Sequence, residues 1–236
     1  ALEIPVIPIH HMEAHLIMAK FDAVGLGFPY ISLLVSGGHT LIVKVISPNK
    51  YKVIGQTRDD AVGEAFDKTA KLLQLGYPGG PEIEKRANKS EGNKSLSFPR
   101  PMMNSDDLNF SFSGLKTAVL YKVKELSENE ALSDSTINDI AFEFQNAAIE
   151  CLVSKSLKAC KREKSKALVL SGGVAANNFL RNELERHKGE INLFYPDQKY
   201  CTDNGLMIAY AGYQKLAEQS KDFEINVTPR WSLENV

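Results

Sequence analysis

Short apolar runs separated by turn residues dominate the first quarter of the chain and predict a β-sheet. Residues 31–35 and 40–46 are two such runs, and the Ser-Gly-Gly-His stretch at 36–39 between them is typical of a hairpin turn. Residues 51–56 predict a third strand. Before these, residues 4–9 predict a short strand, which its two prolines confine to a sheet edge or a strand end.

Apolar positions three and four residues apart predict helices along the rest of the chain. We expect them at 10–23, 62–75, from 81 onward, 114–127, 134–163, 175–187 and 203–218. Pro81 suits the first position of the third helix. Strands at 167–170 and 191–195 each precede one of the last two helices, and this alternation indicates the α/β class. The polar stretch at 90–109 predicts a long surface excursion.

Composition narrows the class of protein more than its function. The 236 residues are 43% hydrophobic and 24% charged with a net charge of −1, which is typical of a globular protein without a global basic field. No apolar run approaches the length of a membrane span. Three cysteines without a Cys-x-x-Cys pair favour a reducing compartment, and we expect a cytoplasmic protein. Because the first residues lack both a Met and a signal-peptide pattern, we expect the chain to begin inside a longer protein.

His11 and His15 are the first candidates for chemistry. Their i, i+4 spacing places both imidazoles on one helix face, with Cβ atoms about 6 Å apart, which suits two ligands of one metal ion. Met12 and Ala14 stand where the two known orders of zinc-protease motif place a glutamate, and Glu13 is turned roughly 200° from His11. The pattern therefore predicts a metal site without a protease's general base. Two exposed surface histidines are the alternative.

The tripeptide Ser-Gly-Gly occurs twice, at 36–38 and 171–173, each time directly after an apolar strand. Two glycines let the backbone approach an anion closely, with amide groups directed at a phosphate. For the first copy a plain hairpin turn, capped by His39, is the alternative. The second copy leads into a helix, an order typical of a nucleotide cradle, and Asn177 there either caps the helix or contacts a base or sugar.

Two carboxylates complete the candidate set. Asp67 lies one helical turn after Gly63, and the small residue leaves room for a sugar whose hydroxyl groups the carboxylate can accept. An ion pair with Lys71 is the alternative for Asp67. Asp203 starts the last predicted helix, either as its N-cap or as a third ligand beside the two histidines. Two histidines and one carboxylate suit Fe²⁺ and are also used by zinc.

Together these motifs resemble the universal tRNA threonylcarbamoyladenosine transferase family, whose bacterial members are called TsaD and were formerly called Gcp. The matching stretches run in family order across nearly the whole chain, which is more specific than any one motif. They are HHMEAHL (10–16), LLVSGGHT (33–40), DDAVGEAFDKTAKLLQLGYPGGP (59–81), FSFSGLKTA (110–118), LSGGVAANNFLR (170–181) and CTDNGLMIA (201–209). Their form is similar to bacterial or organellar rather than archaeal members.

The resemblance implies an actin-like, Hsp70-like (ASKHA) ATPase fold of two lobes around a nucleotide cleft. It implies transfer of a threonylcarbamoyl group from threonylcarbamoyl-AMP to N6 of adenosine 37 in tRNAs that read ANN codons. Matched residue by residue, the metal ligands fall on His11, His15 and Asp203. The substrate or nucleotide site falls on Leu34, Val35, Ser36, Gly37, Gly38, Asp67, Gly80 and Asn177. The cofactors implied are one divalent ion, Fe²⁺ or Zn²⁺, and ATP, ADP or threonylcarbamoyl-AMP in the cleft.

The family also carries a segment before the HHMEAH helix, so the resemblance implies that most of a first lobe is missing from this chain. We expect residues 1–29 to be a remnant of that lobe, residues 30–200 to form the second lobe, and residues 201–236 to return to the first with the third metal ligand. The partners implied are tRNA and TsaB-type and TsaE-type proteins, with no membrane. Self-association stays open.

Two other functional classes stay open. A metal-dependent endopeptidase of the O-sialoglycoprotein type would use the same histidines, and a non-catalytic actin-like scaffold would need none of the three metal ligands. A basic run near the end of the 134–163 helix is either a tRNA contact or a solvated face that favours the helix dipole. It consists of Lys155, Lys158, Lys161, Arg162, Lys164 and Lys166.

Overall fold

The computed structural model describes residues 5–92, 95–128, 130–218, 228 and 231–236. Five strands of these residues form one sheet: Tyr30–Val35 (β1), Thr40–Ser47 (β2), Lys50–Gln56 (β3), Ala167–Ser171 (β4) and Asn192–Phe194 (β5). Their spatial order is β3-β2-β1-β4-β5. The first three strands are antiparallel neighbours, whereas β4 pairs parallel to β1 and β5 pairs parallel to β4.

Seven α-helices flank the sheet within the described ranges. They are His11–Asp22 (α1), Val62–Leu72 (α2), Gly79–Ala87 (α3), Ser113–Leu126 (α4), Asp134–Glu163 (α5), Asn178–His187 (α6) and Gly205–Gln214 (α7). With strands and helices in this order, the predicted α/β class is confirmed. None of the helices in the described part of the chain is long and apolar enough to cross a bilayer.

The central strand β1 is buried on both faces. Tyr30 and Leu34 join an apolar cluster with α1, whereas Ile31, Leu33 and Val35 join the larger cluster formed with α2 to α5. Because helices cover both faces, every residue of the strand is buried, rather than every second one. The hairpin predicted from this strand and the next is confirmed, with Val35 paired to Thr40 at its end.

Helices α1 and α7 pack against each other on one side of the sheet. Their contact consists of Ala14 and Met18 from α1 and Met207 and Ala211 from α7, all of them buried. The alanines let the two helix backbones approach closely. This packing brings α1 beside the loop that precedes α7, and the candidate site lies there.

The strand expected at 4–9 is wrong over the described residues. From Pro5 to Ile9 the backbone is irregular, with a single bridge residue at Val6, and Ile4 lies outside the described residues. The physical reason is that Pro5 and Pro8 have no N–H group to donate to a neighbouring strand.

Three helices begin two or more residues away from the expected position. α3 begins two residues before Pro81, since none of the first N–H groups of a helix needs an intrahelical partner. α6 begins at Asn178, because a 3₁₀ turn at Gly173–Ala176 intervenes and Asn177 caps the helix. α7 begins after Asn204, which caps it.

The stretch before α4 is more than a surface excursion. Residues 95–109 form turns and irregular backbone, yet Phe98 is only 4% exposed. Lys155 of α5 is 1% exposed, and its Nζ donates to Ser105 Oγ and to the Asp107 carbonyl, at 2.7 Å each. Lys155 therefore anchors this loop and is not part of the expected basic surface.

Candidate metal and nucleotide site

His11, His15 and Asp203 meet at the N-terminal half of α1. His15 Nε2 lies 2.9 Å from Asp203 Oδ1, and His11 Nε2 lies 3.3 Å from the same oxygen. The two imidazole rings are nearly perpendicular, with centroids 4.9 Å apart. The predicted triad is thus one cluster, although Asp203 is separated from His15 by 188 positions along the chain.

The three groups have the chemistry that a divalent ion requires. Burial lowers the pKa of His15, and nearby His11 lowers it further, against the opposing hydrogen bond from Asp203. His15 is therefore neutral near pH 7 and has a lone pair to donate. The ligand atoms all lie within 4.8 Å of one another, and ligands bound at about 2.1 Å to one tetrahedral ion sit about 3.4 Å apart.

The helix start explains why the preceding histidine is not a fourth ligand. His10 caps α1, because its Nδ1 accepts from the Met12 and Glu13 N–H groups. Its Nε2 lies 2.8 Å from the Trp231 carbonyl oxygen, which fixes the ring in the tautomer with a proton on Nε2. Both ring nitrogens of His10 are thus already engaged.

Asp203 reaches the histidines because it is not the helix cap. Asn204 accepts from the Met207 N–H and caps α7, so the N-cap alternative for Asp203 is wrong. The Asp203 side chain is 76% exposed and the His11 side chain is 51% exposed, whereas His15 is buried. One face of the cluster is therefore open to solvent and to a substrate.

The turn between β1 and β2 is closed by its own hydrogen bonds. Ser36 N donates to the His39 carbonyl at 2.8 Å, and His39 N donates to Ser36 Oγ at 3.2 Å. Gly37 and Gly38 are exposed, and nothing lies within 4 Å of the position a Cβ would take on either. An anion can therefore approach this backbone. Leu34 lies fully buried below the turn, as Val35 does.

His39 places this turn beside the metal cluster. Burial lowers the pKa of His39, and electrostatic interaction with His11 and His10 lowers it further. His39 is thus close enough to the histidines of α1 for their charges to interact. The sequence pattern suggested no role for His39 beyond the turn itself.

The second Ser-Gly-Gly stretch lies next to the first. Because β4 runs parallel to β1, both strands end at the same sheet edge. A Cβ on Gly172 would lie 2.4 Å from the Val35 carbonyl oxygen, so the two turns touch through backbone. A Cβ on Gly173 would lie 4.0 Å from Thr202, the neighbour of Asp203. The two turns and the metal cluster therefore line one edge of the sheet.

Gly63 allows close packing between α2 and the hairpin turn, rather than leaving room for a sugar. A Cβ on Gly63 would lie 2.5 Å from the Ser36 carbonyl oxygen, so the first turn of α2 packs directly on the hairpin turn. The expected room for a sugar above Gly63 is wrong, because that backbone fills it. Asp67 accepts from Gly79 N at 2.7 Å and so joins α2 to the start of α3. Gly80 next to it is open on its Cβ side.

Asn177 caps a helix, as one of its two alternatives predicts. Its Oδ1 accepts from Leu180 N at 2.8 Å and its Nδ2 donates to Gln145 at 3.0 Å. Glu84, which the sequence pattern did not suggest, accepts from Asn178 N at 2.8 Å. Its i, i+4 spacing from Gly80 places it on the same face of α3, but no sequence pattern indicated its partner. Through Glu84, the Asp67–Gly80 region is joined to the cap of α6.

Solved structures share this fold. The crystal structure of full-length HypF in the phosphate- and nucleotide-bound form matches with a TM-score of 0.63 and 15% identity, over 94% of this chain and 37% of that one. The crystal structure of T. kodakarensis HypF matches with a TM-score of 0.60 and 17% identity, over 88% and 36%. At this identity the likeness concerns the fold alone, and it supports the predicted actin-like class.

Sequence comparison gives the family. The family TsaD, tRNA N6-adenosine threonylcarbamoyltransferase, matches residues 1–210. The protein of that name from Thiobacillus denitrificans is 46% identical over 99% of this chain and 69% of its own length. The one from Burkholderia thailandensis is 48% identical over 97% and 68%. This chain therefore belongs to the tRNA N6-adenosine threonylcarbamoyltransferase family.

Proposed function

We propose that this chain carries the acyl-transfer site of a tRNA N6-adenosine threonylcarbamoyltransferase and uses a divalent metal at His11, His15 and Asp203. The group transferred is threonylcarbamoyl, from threonylcarbamoyl-AMP to N6 of adenosine 37 in tRNAs that read ANN codons. The observation that supports the metal is the 2.9 and 3.3 Å approach of the two imidazoles to one carboxylate oxygen. Fe²⁺ fits this donor set, and Zn²⁺ also fits it.

The residues at the sheet edge hold and orient the nucleotide. The open backbone at Gly37 and Gly38 suits the phosphate, because amide groups and the absence of side chains allow close approach. Asp67, Gly80 and Asn177 border the sugar and base. Holding the acyl carbon in line with the adenine amine converts an encounter of two molecules into a step within one complex. ATP or ADP would occupy the same cleft.

The ion, when bound, supplies Lewis-acid polarisation of the acyl donor or stabilises the charge of the departing phosphate. The chain needs no nucleophile of its own, since the mixed anhydride of the donor is already activated. The cysteine nearest to the metal ligands in sequence, Cys201, is also unsuited to act as a nucleophile. It is buried, and its burial raises the thiol pKa even though Arg181 opposes the shift, so it is a poor thiolate nucleophile.

The HMEAH motif offers the endopeptidase alternative no suitable general base. Glu13 is the acidic residue of the HMEAH motif, and it is 1% exposed and hydrogen bonded to the Tyr51 hydroxyl. A protease base must reach a water on the metal, and a buried carboxylate engaged on the other side of α1 is unsuited to that. We therefore place TsaB-type and TsaE-type proteins and tRNA, rather than a peptide substrate, among the proposed partners.

Replacing His11 or His15 by Ala tests the metal role. We expect each variant to lose most of its bound metal, measured by elemental analysis, and to stop forming threonylcarbamoyladenosine in tRNA, measured by nucleoside mass spectrometry with the partner proteins present. His187→Ala is the matched control for His11→Ala, because His187 is exposed on a helix like His11 but contacts Glu183 on α6. Normal modification by the His15→Ala variant would disprove the metal role.

A further inference from the structure

A buried ion pair lies on the side of α1 that faces away from the metal ligands. Glu13 Oε2 and Lys215 Nζ are 2.9 Å apart, and their side chains are 1% and 5% exposed. The other Glu13 oxygen accepts from the Tyr51 hydroxyl at 2.9 Å. Removing one partner of a buried pair is strongly destabilising, because it leaves the other charge buried without compensation.

The pair joins three elements that together determine the metal site. Glu13 sits in α1 between the two histidine ligands. Lys215 directly follows α7, whose other end begins two residues after Asp203. Tyr51 belongs to β3 of the sheet. Any shift of α1 relative to α7 therefore moves two ligands against the third and changes the Glu13–Lys215 distance.

The apolar contact between these helices cannot set their relative position closely. It is made by alanines and methionines, and methionine side chains adapt to small displacements while staying packed. The attraction of an ion pair is strong at low dielectric and weakens as the charges separate, and the hydrogen bond from Tyr51 to Glu13 adds a dependence on direction. A metal site needs its ligands held within about 0.5 Å of the productive geometry.

We infer that Glu13, Lys215 and Tyr51 form a positioning lock that holds the metal-binding face of α1 in register with Asp203. The inference rests on the proposed metal site and assigns the glutamate of the HMEAH motif a role outside catalysis. The lock acts through helix position, so its removal weakens metal binding even when the chain remains folded.

Lys215→Met tests the lock, because Met has a similar length but no charge. We expect Zn²⁺ affinity, measured by competition with a chelator, to fall about 10-fold or more, within the range found for residues that support metal ligands. The Co²⁺ absorption spectrum should also change. Lys215→Arg keeps the charge and should retain more Zn²⁺ affinity than Lys215→Met does.

Two further variants separate positioning from stability. Glu13→Gln with Lys215→Met removes both charges, so the unfolding temperature should recover relative to Lys215→Met while Zn²⁺ affinity stays low. Arg100→Met breaks another poorly exposed ion pair, with Glu143 at 2.6 Å, and should lower the unfolding temperature without changing Zn²⁺ affinity. All titrations are made where circular dichroism shows folded protein.

The outcomes distinguish the inference from the proposed function. Original Zn²⁺ affinity in both Lys215→Met and the double variant, with binding abolished in His15→Ala, would overturn the lock alone. Zn²⁺ affinity unchanged in His15→Ala would overturn the metal site and the lock with it. Reduced affinity in both Lys215→Met and the double variant, beside an unaffected Arg100→Met, supports the lock.

Discussion

Gly172 and Gly173 are adjacent and identical, yet the fold restricts them differently. Gly172 has φ +87°, a backbone conformation that favours glycine, and a Cβ there would meet the Val35 carbonyl oxygen at 2.4 Å. At Gly173 the nearest atom to a Cβ is a methyl group of Thr202 at 4.0 Å. The first glycine therefore allows the two turns of the site to touch, whereas the second leaves space.

Alanine substitution should separate the two glycines. We expect Gly172→Ala to lower the free energy of unfolding by about 2–4 kcal/mol, since it combines backbone strain with a clash against a strand. Gly173→Ala should change it by less than about 1 kcal/mol. Urea unfolding followed by circular dichroism measures both. Equal effects of the two substitutions would contradict the close approach of Gly172 to the Val35 carbonyl group.

The start of α4 shows how a distant residue completes an element. Its N-cap residue, Phe112, offers no side-chain acceptor, and Asp59 takes that place. The Asp59 carboxylate accepts from the Phe112 and Ser113 N–H groups and from the hydroxyl groups of Ser111 and Ser113. Burial would raise the pKa of Asp59, but these hydrogen bonds outweigh it and lower the pKa.

Asp59→Asn should therefore have a pH-dependent effect. A carboxyl group whose pKa is lowered by folding stabilises the fold above its unfolded pKa of about 3.9 and loses that contribution as pH falls through the lower folded value. We expect a loss of about 1 kcal/mol at pH 7, typical of a helix cap. The loss should shrink progressively below about pH 4.

Urea unfolding at pH 7 and below about pH 4 measures the free-energy difference between Asp59→Asn and the original chain. Asp106→Asn is the control, because the Asp106 side chain is fully exposed and its pair with Lys158 is long, at 3.9 Å. Its effect should be small at every pH. If the Asp59→Asn difference stayed constant on acidification, the carboxylate would not be the cap of α4.

The charges of the 236 residues nearly cancel, with a net charge of −1, so any tRNA surface among them must be local. Of the basic run expected near the end of α5, Lys155 is buried and Lys158 donates to the Ser105 carbonyl at 2.8 Å. The exposed members are Lys161, Arg162, Lys164 and Lys166. The tRNA contact predicted from the sequence is therefore reduced to these four residues.

Reversing three of these charges tests the smaller surface. We expect Lys161→Glu, Arg162→Glu and Lys164→Glu together to weaken tRNA binding and to reduce the salt dependence of log Kd by about one for each phosphate that is no longer neutralised. The same reversals at the exposed Lys85, Lys89 and Lys124 match the change in net charge. Unchanged tRNA affinity across salt concentrations, in filter binding, would exclude this surface from tRNA binding.

The sequence pattern was sufficient to predict features that depend on interactions between residues near each other in sequence. The β1–β2 hairpin, the later helices and the pairing of His11 with His15 follow from periodicities of two and 3.6 residues and from turn chemistry. The lobe boundaries expected at 29 and 200 stay predictions. The family motifs carried the fold class and the function, because several long matches in order are specific where each short one is not.

Contacts between distant segments could not be read from the same patterns. Several residues had two local interpretations, and the fold selected between them through neighbours far along the chain: Asn204 caps α7 and leaves Asp203 to the histidines, and Ser36 fills the space above Gly63. Glu84 and Lys215 acquired partners that no pattern indicated. The chain alone determined which elements form and which residue types they carry. Only the packing of those elements determined which side chains meet, because hydrogen bonds, ion pairs and metal ligation depend on distances of a few ångströms across hundreds of residues.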